Sequence, residues 1–149
     1  QGLALSRRDG QPLAVAYIDL DGFKGVNDRL GHAAGDLLLQ DAARRILEGV
    51  REHDTVCRMG GDEFLMIQAV QDEQEASAIN DRLHDRFRTA GISIALGYAL
   101  ASTPIDNIDT ILAEADRHMY QEKIQHHKTR HQHTDSTPAL KNIHPTDLN

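Results

Sequence analysis

The run Leu13-Ala14-Val15-Ala16-Tyr17-Ile18 is apolar at every position and stops abruptly at Asp19-Leu20-Asp21-Gly22. A strand with one wet face alternates apolar and polar residues, whereas a strand covered on both faces does not. The run therefore predicts a buried central strand that delivers acidic side chains to its end. Any fold adopted by this chain has to pack other layers against that strand and leave its acidic end open.

The flanking periodicities supply those layers. Leu38, Leu39, Ala42, Ala43, Ile46, Leu47 and Val50 recur at helical spacing after Gly35-Asp36, which offers a cap. Thr55 to Met59 reads as a short strand, and Phe64 to Val70 as a more apolar one. Gly60-Gly61-Asp62-Glu63 lies between them as a hairpin tip whose glycines are expected to supply positive φ angles. Ala76, Ile79, Leu83 and Phe87 mark another amphipathic helix, Ile92 to Leu100 another strand, and Ile111, Leu112, Ala115 and Met119 one face of a last helix. Gln1 to Arg8 reads as the end of a helix broken by Asp9-Gly10-Gln11-Pro12. The domain is assigned to residues 1–125, and the polar, His-rich residues 126–149 to a disordered tail.

This order predicts a ferredoxin-like α+β fold, with helices covering one face of a central antiparallel sheet. A strand–helix–strand crossover makes the first two strands parallel, so both end at the same edge. Asp19 and the pair Asp62-Glu63 should meet there.

With 149 residues a single domain suffices. The net charge of -7, without a basic run outside the tail, argues against a nucleic-acid-coating surface but allows a nucleotide bridged by metal. The single Cys57 cannot form an internal disulfide and reads as a small buried hydrophobe in a reducing compartment. There is neither a signal-peptide pattern nor an apolar run of membrane-spanning length. The expected setting is the cytoplasm, including the cytoplasmic part of a larger membrane-attached protein.

Adjacent carboxylates on a turn repel unless a cation lies between them; the plain alternative is a solvated acidic turn. Asp19, Asp62 and Glu63 converging at a strand edge offer the anionic oxygens that Mg²⁺ or Mn²⁺ takes, and the Leu20 carbonyl can add another. Asp19-x-Asp21 is not an EF-hand, because Phe23 stands where an oxygen ligand is required and Lys24 where glycine is. No P-loop occurs, so phosphates need another cradle. The turn Asp21-Gly22-Phe23-Lys24, entering a short helix, offers backbone amides, and Lys24 a cation for developing phosphate charge. Asn27 and Asp36 are either helix caps or, together, an amide and a carboxylate able to read guanine.

Asp19-Leu20-Asp21-Gly22-Phe23-Lys24-Gly25-Val26-Asn27-Asp28, Gly31-His32-Ala33-Ala34-Gly35-Asp36 and Arg58-Met59-Gly60-Gly61-Asp62-Glu63-Phe64 closely resemble the GGDEF family of diguanylate cyclases over about Leu13 to Lys123. The resemblance implies a domain that condenses two GTP into cyclic di-GMP and two pyrophosphates, using two Mg²⁺ or Mn²⁺ ions per active site. By the family pattern Asp19, the Leu20 carbonyl, Asp62 and Glu63 form the metal site, with Asp62 also a candidate base. Lys24 stabilises the transition state, and the amides of Phe23 and Lys24 contact phosphates. Asn27 and Asp36 read guanine, Leu39 lines the base pocket, and Lys123 reaches the terminal phosphates. Arg51 and Asp54, in Arg51-Glu52-His53-Asp54, match the family's inhibitory product site; the plain alternative is a surface salt bridge.

The resemblance also implies partners: a second copy, because each GTP presents its 3′-hydroxyl to the other, and upstream sensory or receiver domains. A segment that customarily precedes the match is absent from this sequence, so low activity in isolation is expected. After Lys123 the family continues to Gly-Arg-Asn, whereas this chain has His126-His127-Lys128, with His127 where a phosphate-binding Arg is expected. His126, His127, His131 and His133 are either transition-metal ligands or a solvated tail. The alternative to an active cyclase is a regulatory module that binds GTP or cyclic di-GMP and controls an attached phosphodiesterase domain. A related nucleotidyl cyclase is the third reading.

Overall fold

The computed structural model describes residues 10–101 and 108–135. Along the chain run β1 (Leu13–Leu20), α1 (Phe23–Leu30), α2 (His32–Glu48), β2 (Thr55–Gly60), β3 (Glu63–Ala69), α3 (Glu73–Thr89), β4 (Ile94–Ala101) and α4 (Ile108–Asp135). The strands form one antiparallel sheet in the order β2-β3-β1-β4. β1 and β2 are both antiparallel to β3, so they run parallel to each other with β3 between them. Gln1 to Arg8, read as a helix end, lie outside the described residues.

β1 is apolar throughout because both its faces are covered. Ala14, Ala16, Ile18 and Leu20 point into the larger core, against Leu39 and Ile46 of α2 and Ile79, Leu83 and Phe87 of α3. Val15 and Tyr17 point the other way, against Leu65, Ala99 and the α4 residues Ile111, Leu112 and Ala115. The architecture is the expected α+β one, a central antiparallel sheet flanked by helices, but the helices cover both of its faces and not one. Side-chain alternation along a strand then assigns odd-numbered Asp19 to the face that α4 covers.

Several local expectations are corrected. α2 begins at His32 after Gly31 (φ 88°), so Asp36 lies inside the helix and is not its cap. Asn27 likewise lies within α1. The positive-φ glycines are Gly10, Gly22, Gly31 and Gly91, so the hairpin does not use Gly60 or Gly61 in that way. It turns with a register shift between Arg58 and Gly60, and Arg58 Nε and Nη2 donate to the Gly61 carbonyl at 3.1 and 2.8 Å. Cys57 is exposed, because β2 is an edge strand with a neighbour on one side. α4 continues to Asp135, so residues 126–135 are helical and not part of a disordered tail. Polar contacts to the β1–α1 turn, described below, hold those turns in place of apolar ones.

α4 lies directly on β4 at Gly97. A Cβ built there would stand 1.9 Å from the Met119 nitrogen and 2.5 Å from the Ala115 carbonyl oxygen. Both obstacles are backbone, so relief requires moving the helix. Gly97→Ala should therefore destabilise the fold by about 3 kcal/mol, read as a lower Tm in thermal unfolding. Gly25→Ala, whose Cβ would meet nothing within 4 Å, is the control and should leave Tm unchanged or slightly raised.

Candidate active site

Asp19 is opposite Glu63 on β3 and Ala95 on β4, so Asp19 and Glu63 share the α4 face. The Leu20 amide extends the ladder by donating to the Asp62 carbonyl at 3.1 Å. Strand pairing therefore brings Asp19, Leu20, Asp62 and Glu63 together from segments distant in sequence. The Asp19 side chain is 9% exposed, and its Oδ2 accepts from Lys123 Nζ of α4 at 2.5 Å. Its other oxygen, Oδ1, is buried without a hydrogen-bond partner.

The charges around Asp19 do not balance. Burial chiefly, and then the neighbouring Asp62, push its carboxyl up from 3.8 to about 6, although Lys123 pulls it down. Burial, Asp116 and Asp62 push Glu63 up. Burial works to lower Lys123, but Asp19, Asp62 and Asp21 outweigh it and the ammonium is held above its ordinary value. An acid and its cationic partner both shifted upward mean that one lysine faces a surplus of carboxylates. For Asp19 the folded-state value exceeds the unfolded one, so its contribution to stability is complete below about 4 and is lost as pH rises through about 6. At neutral pH the site is held against a preference to neutralise.

An unsatisfied inward oxygen in a carboxylate-rich corner fits a hard divalent cation. Among the described residues, no three acidic, His or Cys side chains are already gathered as a finished coordination shell. Asp19, the Leu20 carbonyl, Asp62 and Glu63 are the groups on hand to hold one.

The β1–α1 turn lies beside this corner. Gly22 takes a left-handed conformation (φ 73°) and starts α1 without a side-chain cap. The first amide to bond back within that helix is Val26, to the Gly22 carbonyl at 3.2 Å, so the earlier amides, those of Phe23 and Lys24 included, have no helical acceptor. Lys24 is exposed in the first turn. Asp21 braces the turn: its amide donates to the Ser93 carbonyl (2.9 Å), and Oδ2 accepts from Ser93 Oγ (2.6 Å) and lies 2.8 Å from His126 Nδ1. The contact of Asp21 with Ser93 and His126 is not anticipated in the sequence, where Asp21 stands only as part of the turn and His126 as a tail histidine. The i, i+3, i+7 spacing of Lys123, His126 and Arg130 was the available signal that α4 continues along this face.

A cavity of about 380 Å³ opens between α2 and the hairpin strands, lined by residues including Asp36, Leu39, Val56, Arg58 and Phe64. Asn27 packs against Gly35, the neighbour of Asp36 in α2, where a Cβ would stand 1.8 Å from Asn27 Oδ1. Neither Asn27 nor Asp36 caps a helix, and Asp36 lines the cavity together with buried Leu39.

The remaining pair lies elsewhere. Arg51 Nη2 forms a 2.7 Å ion pair with Glu75 of α3, while Asp54 Oδ2 accepts from the Arg51 amide (2.7 Å) and Gln68 Nε2 (2.9 Å). In this structure the two residues close the turn before β2.

The family model described as "Diguanylate cyclase, GGDEF domain" matches residues 1–129. The bifunctional diguanylate cyclase/cyclic di-GMP phosphodiesterase MucR of Pseudomonas aeruginosa is 36% identical over 133 residues, covering 84% of this chain and 19% of its own length. The diguanylate cyclase TpbB of the same organism is 41% identical over 126 residues, covering 77% of this chain and 29% of its own. The chain thus spans less than a third of either relative. The crystal structure of the GGDEF domain of TpbB superposes with a TM-score of 0.75 at 36% identity, covering 83% of each chain. A microbial GGDEF domain described in a novel interaction mode with cyclic di-GMP superposes at a TM-score of 0.73 with 29% identity, covering 83% of this chain and 80% of that one. With the family model matching residues 1–129 and MucR and TpbB 36% and 41% identical, this chain belongs to the GGDEF family of diguanylate cyclase domains.

Proposed function

We propose that the domain condenses two GTP into cyclic di-GMP and two pyrophosphates as a two-fold dimer, with product feedback on turnover. The observation that carries this reading is the buried Asp19 Oδ1 without a hydrogen-bond partner, at the strand end that leads through Asp21 and Gly22 into an uncapped helix start. A single copy has one such site, and joining two nucleotides head to tail needs two sites facing each other.

Asp36 accepts from guanine N1–H and N2–H, the Asn27 amide meets N3 or N2–H, and Leu39 packs against the ring. The Phe23 and Lys24 amides receive phosphate oxygens, and Lys123 serves the terminal ones. Asp19, the Leu20 carbonyl, Asp62 and Glu63 would hold Mg²⁺ or Mn²⁺, which would supply charge neutralisation and a Lewis acid beside the attacking hydroxyl. Asp62 takes the proton of the 3′-hydroxyl. The 3′-oxygen bonds to the α-phosphorus of the other GTP, the bond from that phosphorus to the bridging oxygen breaks, and pyrophosphate leaves. Lys24 balances the charge that gathers on the phosphoryl oxygens. Repeated in the opposite sense, the step closes the ring. Arg51 and Asp54 form the product site, where Arg51 leaves Glu75 to fork onto a phosphate or a guanine edge.

His127, at the position where the family carries a phosphate-binding Arg, favours a second reading: a GTP- or cyclic di-GMP-binding regulatory module attached to other domains, a phosphodiesterase domain among them. Incubating the domain, fused to a dimeriser, with GTP and Mn²⁺ should yield cyclic di-GMP by chromatography. Lys24→Ala should lower the rate by about a hundredfold, and Asp62→Asn should abolish it. Absence of product at high protein concentration, with GTP still bound, would establish the regulatory module instead. Separately, Arg51→Ala should weaken cyclic di-GMP affinity by about tenfold in calorimetry; unchanged affinity would remove the product site from this account.

A further inference from the structure

The face of α4 that meets β1 carries a second cation beyond Lys123. Arg130 follows Lys123 by seven residues, about 20° short of two full turns, so the two side chains leave the helix in nearly the same direction. Lys123 Nζ lies on Asp19, and Arg130 Nη2 lies 3.9 Å from Asp21 Oδ2. Arg130 Nη1 also lies 3.7 Å from where a Cβ on Gly22 would stand. The two cations therefore track the chain from the end of β1 into the uncapped start of α1. Between helix and turn is a cavity of about 360 Å³, with Asp21, Gly22, Lys123, His127 and Arg130 in its lining.

We propose that Arg130, and not His127, is the α4 side chain that pairs with Lys123 to hold the terminal phosphates of the nucleotide. The assignment rests on the nucleotide reading above and names a residue which that reading leaves out. A guanidinium stays charged at any working pH and presents a planar fork to phosphate oxygens, whereas an imidazole carries less charge near neutrality and donates along single directions. His126, one turn before Arg130, is tied to Asp21 and anchors this part of the helix against the phosphate turn. Asp21 holds Arg130 over the turn without burying it, since the Arg130 side chain is 55% exposed.

The test compares GTP and GMP binding by calorimetry for the full chain, Arg130→Ala, Arg130→Lys and His127→Ala, with Mg²⁺ present. Arg130→Ala should weaken GTP about tenfold and leave GMP within twofold, Arg130→Lys should recover part of the loss, and His127→Ala should stay within twofold for both. Overturning results are GTP affinity unchanged in Arg130→Ala, equal losses for GTP and GMP, or a larger loss in His127→Ala. A parent chain that bound GTP with Arg130→Ala unchanged would remove only the role of Arg130. A parent chain that bound neither nucleotide would remove the nucleotide reading together with this one.

Discussion

The site depends on one buried carboxylate that the sheet places where it is least comfortable. Asp19 lies one residue before the end of a strand whose preceding residues are all apolar and covered on both faces, so it arrives at the rim of the core already desolvated. Cross-strand pairing sets Glu63 opposite it, and the ladder from Leu20 to the Asp62 carbonyl adds the other hairpin acid. α4 returns one lysine. The result is a corner with more negative charge than its cation can balance and a carboxylate oxygen without a donor. Burial and like charge raise acid pKa values at sites that bind cations or move protons, and stability is given up there in exchange.

α4 links this corner to the rest of the architecture. Its approach to β4 at Gly97 is close enough that no side chain fits between them, and that contact sets the height at which Lys123, His126 and Arg130 cross the end of β1. The helix both closes the second face of the sheet and supplies the cationic wall of the phosphate turn. A small shift of α4 would move three polar contacts at once, so the packing glycine and the charged face act together.

Much of this was legible in the residues. The unbroken run from Leu13 to Ile18 announced a buried central strand, although the topology drawn from it assigned helices to one face only. The spacing of Ala76, Ile79, Leu83 and Phe87 located α3, and the acids of β1 and the hairpin met as strand direction required. What escaped were features decided by tertiary contact. The hairpin glycines suggested positive φ, but a bulge and the Arg58 side chain shape that turn. Cys57 looked buried because its neighbours in sequence are strand-like, yet an edge strand has little to bury it against. Asn27 and Asp36 resembled caps until the helix limits left both inside helices. Residues past Lys123 carry few apolar side chains, so composition predicted a loose tail; their helix is held by His126 and Arg130 on Asp21, which periodicity of hydrophobic residues cannot register.

The measurement closest to the central claim is the carboxyl titration of Asp19 itself, followed by carbon-13 NMR with and without Mg²⁺ and assigned through Asp19→Asn. Without metal the midpoint should fall at about 6, and with saturating Mg²⁺ it should drop by a unit or more as the cation satisfies the free oxygen. An ordinary midpoint of about 3.9, the same in both conditions, would contradict the account, because Asp19 would then be neither desolvated nor poised for a cation.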